Sequence, residues 1–165
     1  MTGSVYAYLS DDHARLDGLL RQAVAQPGQV DKSPYALFRA GLLRHIGMEE
    51  KILLPTARRL RGGEPLPIAA QLRRDHAALA ALLVPTPTPE IVGTIRKLLE
   101  KHNELEERPD GLYETCERLA ANELDALTAK LQAAPEVALA PHADGPRVQQ
   151  HIQQLLDAAW KSREE

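Results

Sequence analysis

The chain has little cysteine and few aromatic residues. Cys116 is the only cysteine among 165 residues, so no disulfide can form within the chain. Aromatic residues make up 4 % of the sequence, so the core must consist mostly of Leu, Ile, Val and Ala. Leu and Ala favour helices, whereas the scarce β-branched and aromatic residues favour strands. The composition therefore predicts an all-helical fold.

The sequence also lacks a basic excess and long apolar runs. Its formal net charge is -3 with interspersed signs, which leaves no basic stripe for nucleic acid. No stretch is long and apolar enough to span a membrane, and residues 1–10 lack the features of a signal peptide. We therefore expect a cytoplasmic protein without nucleic-acid or membrane partners.

Apolar residues recur at spacings of three and four, which is typical of amphipathic helices. The first helix should begin near residue 5 or after residue 10 and end near residue 26. Further helices are expected at about residues 34–61 (with Ser33 as N-cap), 67–83 and 89–108. Pro55 should kink or break the second of these. A helical pattern resumes at Leu112 to Gln132, either as a kinked extension or as a fifth helix.

These elements predict an all-α protein, an up-and-down four-helix bundle with a C-terminal helical extension. Residues 1–132 would form the bundle, and the Ala/Pro-rich residues 133–146 a linker or a loop on its surface. Residues 147–165 would form an amphipathic helix that either packs on the bundle or joins two copies of the chain in a homodimer.

The motif His-x-x-x-Glu-Glu occurs twice, at His45 to Glu50 and at His102 to Glu107. Residues four apart on a helix point to one side, so each motif directs an imidazole and a carboxylate the same way. His13 and His76 lie on the apolar stripes of two other helices. An unsatisfied buried polar group costs about 1–3 kcal/mol, so such a core needs a shared partner. The candidate metal ligands are His13, His45, Glu49, His76, His102 and Glu106.

These six side chains form a donor set for two metal ions. Each ion would take two histidines, both glutamates would bridge, and a bridging oxide or hydroxide would bring each ion to five ligands. One position then stays open on an ion that prefers six. Imidazole and carboxylate ligands suit Fe, with Mn and Zn as alternative occupants. For any single histidine, a hydrogen-bonded core residue is the competing interpretation.

Several neighbouring polar residues have two interpretations. Glu50 and Glu107 either contact the ligands or are solvated. Asp12 and Asp75 each precede a candidate histidine and are either surface residues or residues that orient an imidazole. Tyr113 lies seven residues after Glu106, and core packing is its expected role, with an approach to the site as the alternative.

In order and spacing, the six residues resemble the hemerythrin-like (HHE cation-binding) family over about residues 8–120. That family carries a His, a His-x-x-x-Glu, a His and a His-x-x-x-Glu on the four helices of a bundle. The resemblance implies a non-haem di-iron centre that meets O2, NO or related small molecules. Respiratory hemerythrins have a further histidine where Ala80 stands. The set is more similar to HHE domains in iron sensing and in repair of iron–sulfur centres.

Three functions fit this centre. Reversible binding or sensing of O2 or NO, or iron handling, is the leading hypothesis, because no second set of acid, base or substrate-binding residues is found. A redox enzyme that repairs iron centres or reduces NO or peroxide would consume a reductant and a substrate. A helical interaction module that uses metal for stability would have a closed site.

Overall fold

The computed structural model describes residues 4–164, and this part of the chain is helical without any strand. The all-helical prediction is confirmed. None of its helices is long and apolar enough to cross a membrane. Residues 4–164 form eight α-helices, and a π-helical turn at Glu49–Leu53 joins the second and third of them. The helices are α1 Ser4–Ala23, α2 Lys32–Met48, α3 Leu54–Leu60, α4 Ala69–Leu82, α5 Pro89–Glu107, α6 Leu112–Leu119, α7 Leu124–Gln132 and α8 Pro146–Lys161.

Side-chain caps begin two of the long helices. The Asp31 carboxylate accepts a hydrogen bond from the backbone N–H of Ser33 at 3.2 Å, so α2 begins at Lys32. Asp31 is therefore the N-cap, and the prediction of Ser33 at this position is wrong. Thr88 caps α5 in the same way, and Pro89 occupies the first helical position, as its missing N–H allows.

The π turn explains how a proline fits between α2 and α3. The backbone N–H of Leu54 donates to the carbonyl of Glu49, five residues earlier instead of four. Pro55 then falls in the first turn of α3, where no N–H is needed. The expected break at Pro55 is therefore a widened turn, and this turn begins at the candidate ligand Glu49.

The helical pattern after Leu112 forms two helices, α6 and α7, so neither a kinked extension nor one fifth helix is correct. A turn closed by the Glu123 N–H and the Ala120 carbonyl at 2.8 Å separates them. Asn122 lies in this turn, where its side chain can compete for backbone hydrogen bonds. The break lets both helices bury side chains, among them Cys116 and Leu131, in one core cluster.

The core consists of two clusters of buried apolar residues. Cluster A contains residues of α1, α2, α4, α5 and α8, and cluster B is built mainly from α1, the π turn, α3, α4, α6 and α7. On α1, His13 lies between Leu9 of cluster B and Leu16 of cluster A. The other three candidate histidines occupy the same kind of position, between Leu42 and Met48, Leu72 and Leu79, and Leu98 and Leu105.

The C-terminal part of the chain lies on the helices that carry the site. Arg39 donates to the Ala140 carbonyl at 2.8 Å, and Thr86 binds the Asp144 carboxylate at 2.7 Å. α8 buries Ile152 in cluster A, together with Leu156 and Ala159. Of the two roles expected for the last helix, packing on the core is the one observed.

Candidate metal centre

The structure brings all six sequence-predicted ligands together. They come from α1, α2, the π turn, α4 and α5, and all are buried between the two core clusters. The carboxylates of Glu49 and Glu106 are both fully buried, at 0 % exposure. Two buried carboxylates at the centre of a helical protein need positive charge nearby, because burial penalises a charged group strongly.

The six donors form two groups that could each hold a metal ion, and in each group the donor atoms lie within 4.8 Å of one another. Subsite 1 contains His13, His45, Glu49 and Glu106, and subsite 2 contains His76, His102 and the same two glutamates. Glu49 places one carboxylate oxygen 3.3 Å from His45 Nε2 in subsite 1 and the other 3.0 Å from His76 Nε2 in subsite 2. The two subsites therefore share the Glu49 carboxylate.

Glu106 repeats this arrangement from the opposite motif. Its Oε1 lies 3.1 Å from His13 Nε2, and its Oε2 lies 3.1 Å from His102 Nε2. First-row metals bind nitrogen and oxygen at about 2.0–2.2 Å, so neighbouring ligands of a six-coordinate ion lie about 3 Å apart. The spacing of the donors therefore fits ligands that share an ion.

An unsatisfied oxygen adds to this fit. Glu106 Oε2 is buried and makes no hydrogen bond to any residue in the described part of the chain, despite its short distance to His102. Buried acceptors are almost always hydrogen-bonded or bound to an ion. The free lone pairs of this oxygen are the kind of group that a metal ion would satisfy.

The electrostatics of the centre also favour cations. Burial would raise the pKa of Glu49, but the His45 imidazolium and hydrogen bonds from three histidines hold it well below its ordinary value. Burial would lower the pKa of His45, but the charge of Glu49 and the hydrogen bonds to Asp12 and Glu49 raise it to about 10. Protons on imidazole thus balance the carboxylates, and metal ions would supply the same positive charge.

Each of the four imidazoles is held at Nδ1 by a carboxylate from another helix. Such a contact fixes the ring so that Nε2 faces the centre, and it raises the basicity of the ligand nitrogen. The pairs are His13 with Glu107 at 2.7 Å, His45 with Asp12 at 2.8 Å, His76 with Glu50 at 2.6 Å and His102 with Asp75 at 2.9 Å. We call these four acidic residues the orienting carboxylates.

The orienting carboxylates cross between helices. Asp12 contacts His45 instead of its neighbour His13, and Asp75 contacts His102 instead of His76. The alternative that both aspartates orient an imidazole is therefore the observed one. One sequence signal could have indicated these contacts. An Asp-His pair followed by His-x-x-x-Glu-Glu occurs in each half of the chain, so both halves carry equivalent carboxylates beside the ligands.

Arginines neutralise only part of this acidic charge. Arg15 contacts Asp12 at 2.9 Å, and Arg73 contacts Glu50 at 3.5 Å. Arg163 donates from its two terminal guanidinium nitrogens to the two carboxylate oxygens of the buried Asp75, each at 2.6 Å. With the four imidazoles neutral, as metal ligands must be, six carboxylates in the centre and its surroundings would face only three guanidinium groups, and this surplus of negative charge would favour metal cations.

The buried Asp75 allows a first prediction. Replacing Asp75 with asparagine should lower the free energy of unfolding of the metal-free protein by about 3 kcal/mol, because Arg163 and His102 lose a charged partner. Urea unfolding followed by circular dichroism measures this change. Asp17→Asn is the control, since the exposed pair of Asp17 and Arg21 should contribute less than about 1 kcal/mol. Equal stability of the two variants would contradict the prediction.

Tyr113 is the residue whose importance the sequence interpretation underestimated. Its ring is fully buried, and its hydroxyl lies 2.7 Å from Glu49 Oε2 and 3.1 Å from Glu106 Oε1. The same hydroxyl lies 3.0 Å from His13 Nε2 and 3.1 Å from His45 Nε2. Tyr113 therefore contacts all four donors of subsite 1, and the expectation of packing alone is wrong.

A tight turn after α5 brings Tyr113 back to the centre. A Cβ atom on Gly111 would lie 2.6 Å from the Leu105 carbonyl oxygen, closer than any side chain tolerates. Glycine is therefore required at this position for α6 to begin directly after the turn. The Pro-Asp-Gly sequence signalled the turn, but not the direction of the helix that follows it.

A cavity of about 680 Å³ reaches the centre from the side of α5. Exposed residues, including Lys97 and Glu100, form part of its lining, and it extends to the buried imidazoles of His13, His45 and His102. Apolar side chains such as Leu42 line its interior. The cavity therefore places open space beside three of the six candidate ligands.

Comparisons of the chain with models of known protein families, with curated proteins and with solved structures found no match. The centre itself is therefore the only guide to a function. Its buried histidine and glutamate groups can hold metal, and they lie in an all-helical protein of a kind compatible with a hemerythrin-like fold.

Proposed function

We propose that the chain is a hemerythrin-like, non-haem di-iron protein that reversibly binds or senses O2 or NO, or handles iron. The observation that carries the proposal is the sharing of Glu49 and Glu106, each with one oxygen at each subsite. A carboxylate in this position would offer one oxygen to each of two ions. An oxide or hydroxide bridge would complete the pair, as the donor count in the sequence suggests.

The proposal includes an up-and-down four-helix bundle formed by α1, α2, α4 and α5. Its support is the order in which each helix contributes to the core. α1 and α4 run from cluster B to cluster A, whereas α2 and α5 run from cluster A to cluster B. This alternation is what antiparallel neighbours in a bundle require, and such a bundle would bring the four histidines to one level.

Iron is the proposed occupant because imidazole and carboxylate donors together suit it, with Mn and Zn as alternatives. When bound, iron would supply a redox-active ion that takes O2 or NO directly. The chain contributes the rest: the imidazoles are held by the orienting carboxylates, and the surrounding apolar clusters limit the access of water.

The cavity favours a site that meets an external ligand over a closed metal site used for stability alone. It reaches three of the four imidazoles, so a small molecule could contact the centre without unfolding a helix. Its volume also supports the second candidate, a redox enzyme at the same centre. About 680 Å³ exceeds the needs of a diatomic molecule and lies in the range of small-molecule sites.

Metal analysis of protein loaded anaerobically with Fe(II), combined with visible spectra before and after O2 or NO, tests the proposal. Two irons per chain and a reversible spectral change, without consumption of reductant, are expected. Continuous consumption of reductant and substrate would indicate the redox enzyme instead. Bound iron with no response to either gas would favour the interaction module, and failure to bind iron would overturn the di-iron proposal.

A further inference from the structure

We propose that Tyr113 is a fifth protein ligand of subsite 1 and binds ferric iron through its phenolate oxygen. The inference rests on the proposed di-iron function and deepens it, because it makes the two ions chemically different. Candidate ligands in the sequence were limited to histidine and glutamate. The phenol oxygen enters the set only through the contacts that the folded chain makes.

The geometry around the Tyr113 oxygen carries the inference. Its distances to four donor atoms of subsite 1, two imidazole nitrogens and two carboxylate oxygens, range from 2.7 to 3.1 Å. About 3 Å is the separation of neighbouring ligands on one six-coordinate ion, so the phenol oxygen has the spacing of a further ligand. A residue that served only for packing would not need its hydroxyl at this point.

Without a metal ion, the pocket disfavours the phenolate, because burial and the carboxylates of Glu106 and Glu49 raise the pKa of Tyr113 well above its ordinary value. An ion held by those same carboxylates would offset this penalty and favour a metal–phenolate bond. On binding ferric iron, the phenol O–H bond breaks, the proton leaves to solvent and an Fe–O bond forms. No electron is transferred in this step. The charge of the metal ion is the term that stabilises the phenolate, as bound cations do for other acidic ligands.

Ligation by Tyr113 would make the subsites unequal. Subsite 1 would have five side-chain donors, whereas subsite 2 keeps four, from His76, His102 and the two shared glutamates. On ions that prefer six ligands, more open positions remain at subsite 2. O2 or NO would therefore bind at the ion of subsite 2, on the side where His102 lines the cavity.

Resonance Raman spectroscopy of the ferric protein tests the inference on the wild-type chain. Excitation in the visible charge-transfer band should enhance tyrosinate ring modes, and these should shift when the protein is made with ring-deuterated tyrosine. Tyr113→Phe should keep its iron but lose these modes and the band. Because the wild-type spectrum alone can decide, the test does not depend on the folding of the variant.

Two further tyrosine variants serve as controls. Tyr35→Phe removes another fully buried phenol, whose hydroxyl has no hydrogen-bond partner in the described part of the chain, and it should leave the modes unchanged. Tyr6→Phe removes the phenol that donates to the Glu107 carbonyl and packs edge-on against Tyr113, and it should also retain them.

The outcomes separate this inference from the proposed function. Two bound irons without tyrosinate modes would overturn the role of Tyr113 and leave the di-iron proposal standing. Modes that persist in Tyr113→Phe would overturn it too, since another tyrosine would then be the source. A wild-type chain that binds no iron would overturn both proposals together.

Discussion

Replacing Glu49 with glutamine should abolish the binding of both metal ions. Each Glu49 oxygen faces a different subsite, at 3.3 Å from His45 Nε2 and 3.0 Å from His76 Nε2. Glutamine has the same size but lacks the negative charge, and one of the two oxygens becomes an NH2 donor that cannot bind a cation. Loss of an orienting residue alone typically costs 10–100-fold in affinity, so we expect a loss above about 100-fold at each subsite.

Metal analysis after desalting measures this effect, with iron expected to fall from two per chain to near zero. Glu104→Gln is the matched control, because Glu104 is an exposed residue on α5 and should not affect the content. His13→Ala provides a second comparison, since His13 belongs to subsite 1 alone and its loss should spare subsite 2. Two irons retained in Glu49→Gln would refute the shared-carboxylate arrangement.

Removal of metal should lower the midpoint of thermal unfolding by at least about 15 °C. An ion present at 1,000 times its dissociation constant adds about 4 kcal/mol to the stability of the folded state, so two ions add about 8 kcal/mol. For a chain of this length, each kcal/mol corresponds to about 2–4 °C. The effect arises because the six donors meet only in the folded chain.

Differential scanning calorimetry of the metal-free and iron-loaded proteins gives the two midpoints. Mg²⁺ at the same concentration should cause almost no shift, since a site rich in imidazole favours first-row transition metals. Glu49→Gln should show no shift with iron either. Equal midpoints for the loaded and metal-free wild type would mean that the folded centre does not bind the ions.

The geometry of a single helix was sufficient to predict how the histidine and glutamate of each motif are placed. The four-residue spacing within one helix places His45 above Glu49, and His102 above Glu106, whatever surrounds the helices. The cost of burying these groups then indicated a shared partner. Such rules could not predict which orienting carboxylate contacts which histidine. The contact of Asp12 with His45, for example, depends on the rotation and relative height of α1 and α2.

Tyr113 is the clearest case of a site residue that sequence patterns could not place. A straight helix would have placed it about two turns beyond Glu106, away from the centre. The turn at Gly111 reverses this expectation, because the close approach of Gly111 to the Leu105 carbonyl lets α6 return toward subsite 1. No periodicity encodes the direction in which a chain leaves such a turn.

By itself, the sequence determined that the protein is helical, which segments form its main helices and which six side chains are the candidate ligands. These features follow from hydrophobic spacing and from interactions within one or two helical turns. Only the tertiary structure decided that both glutamates are shared, which carboxylate holds each imidazole and that Tyr113 joins subsite 1. Those features depend on distances between residues far apart in the chain, such as His13 and Tyr113, which only the packing of the helices sets.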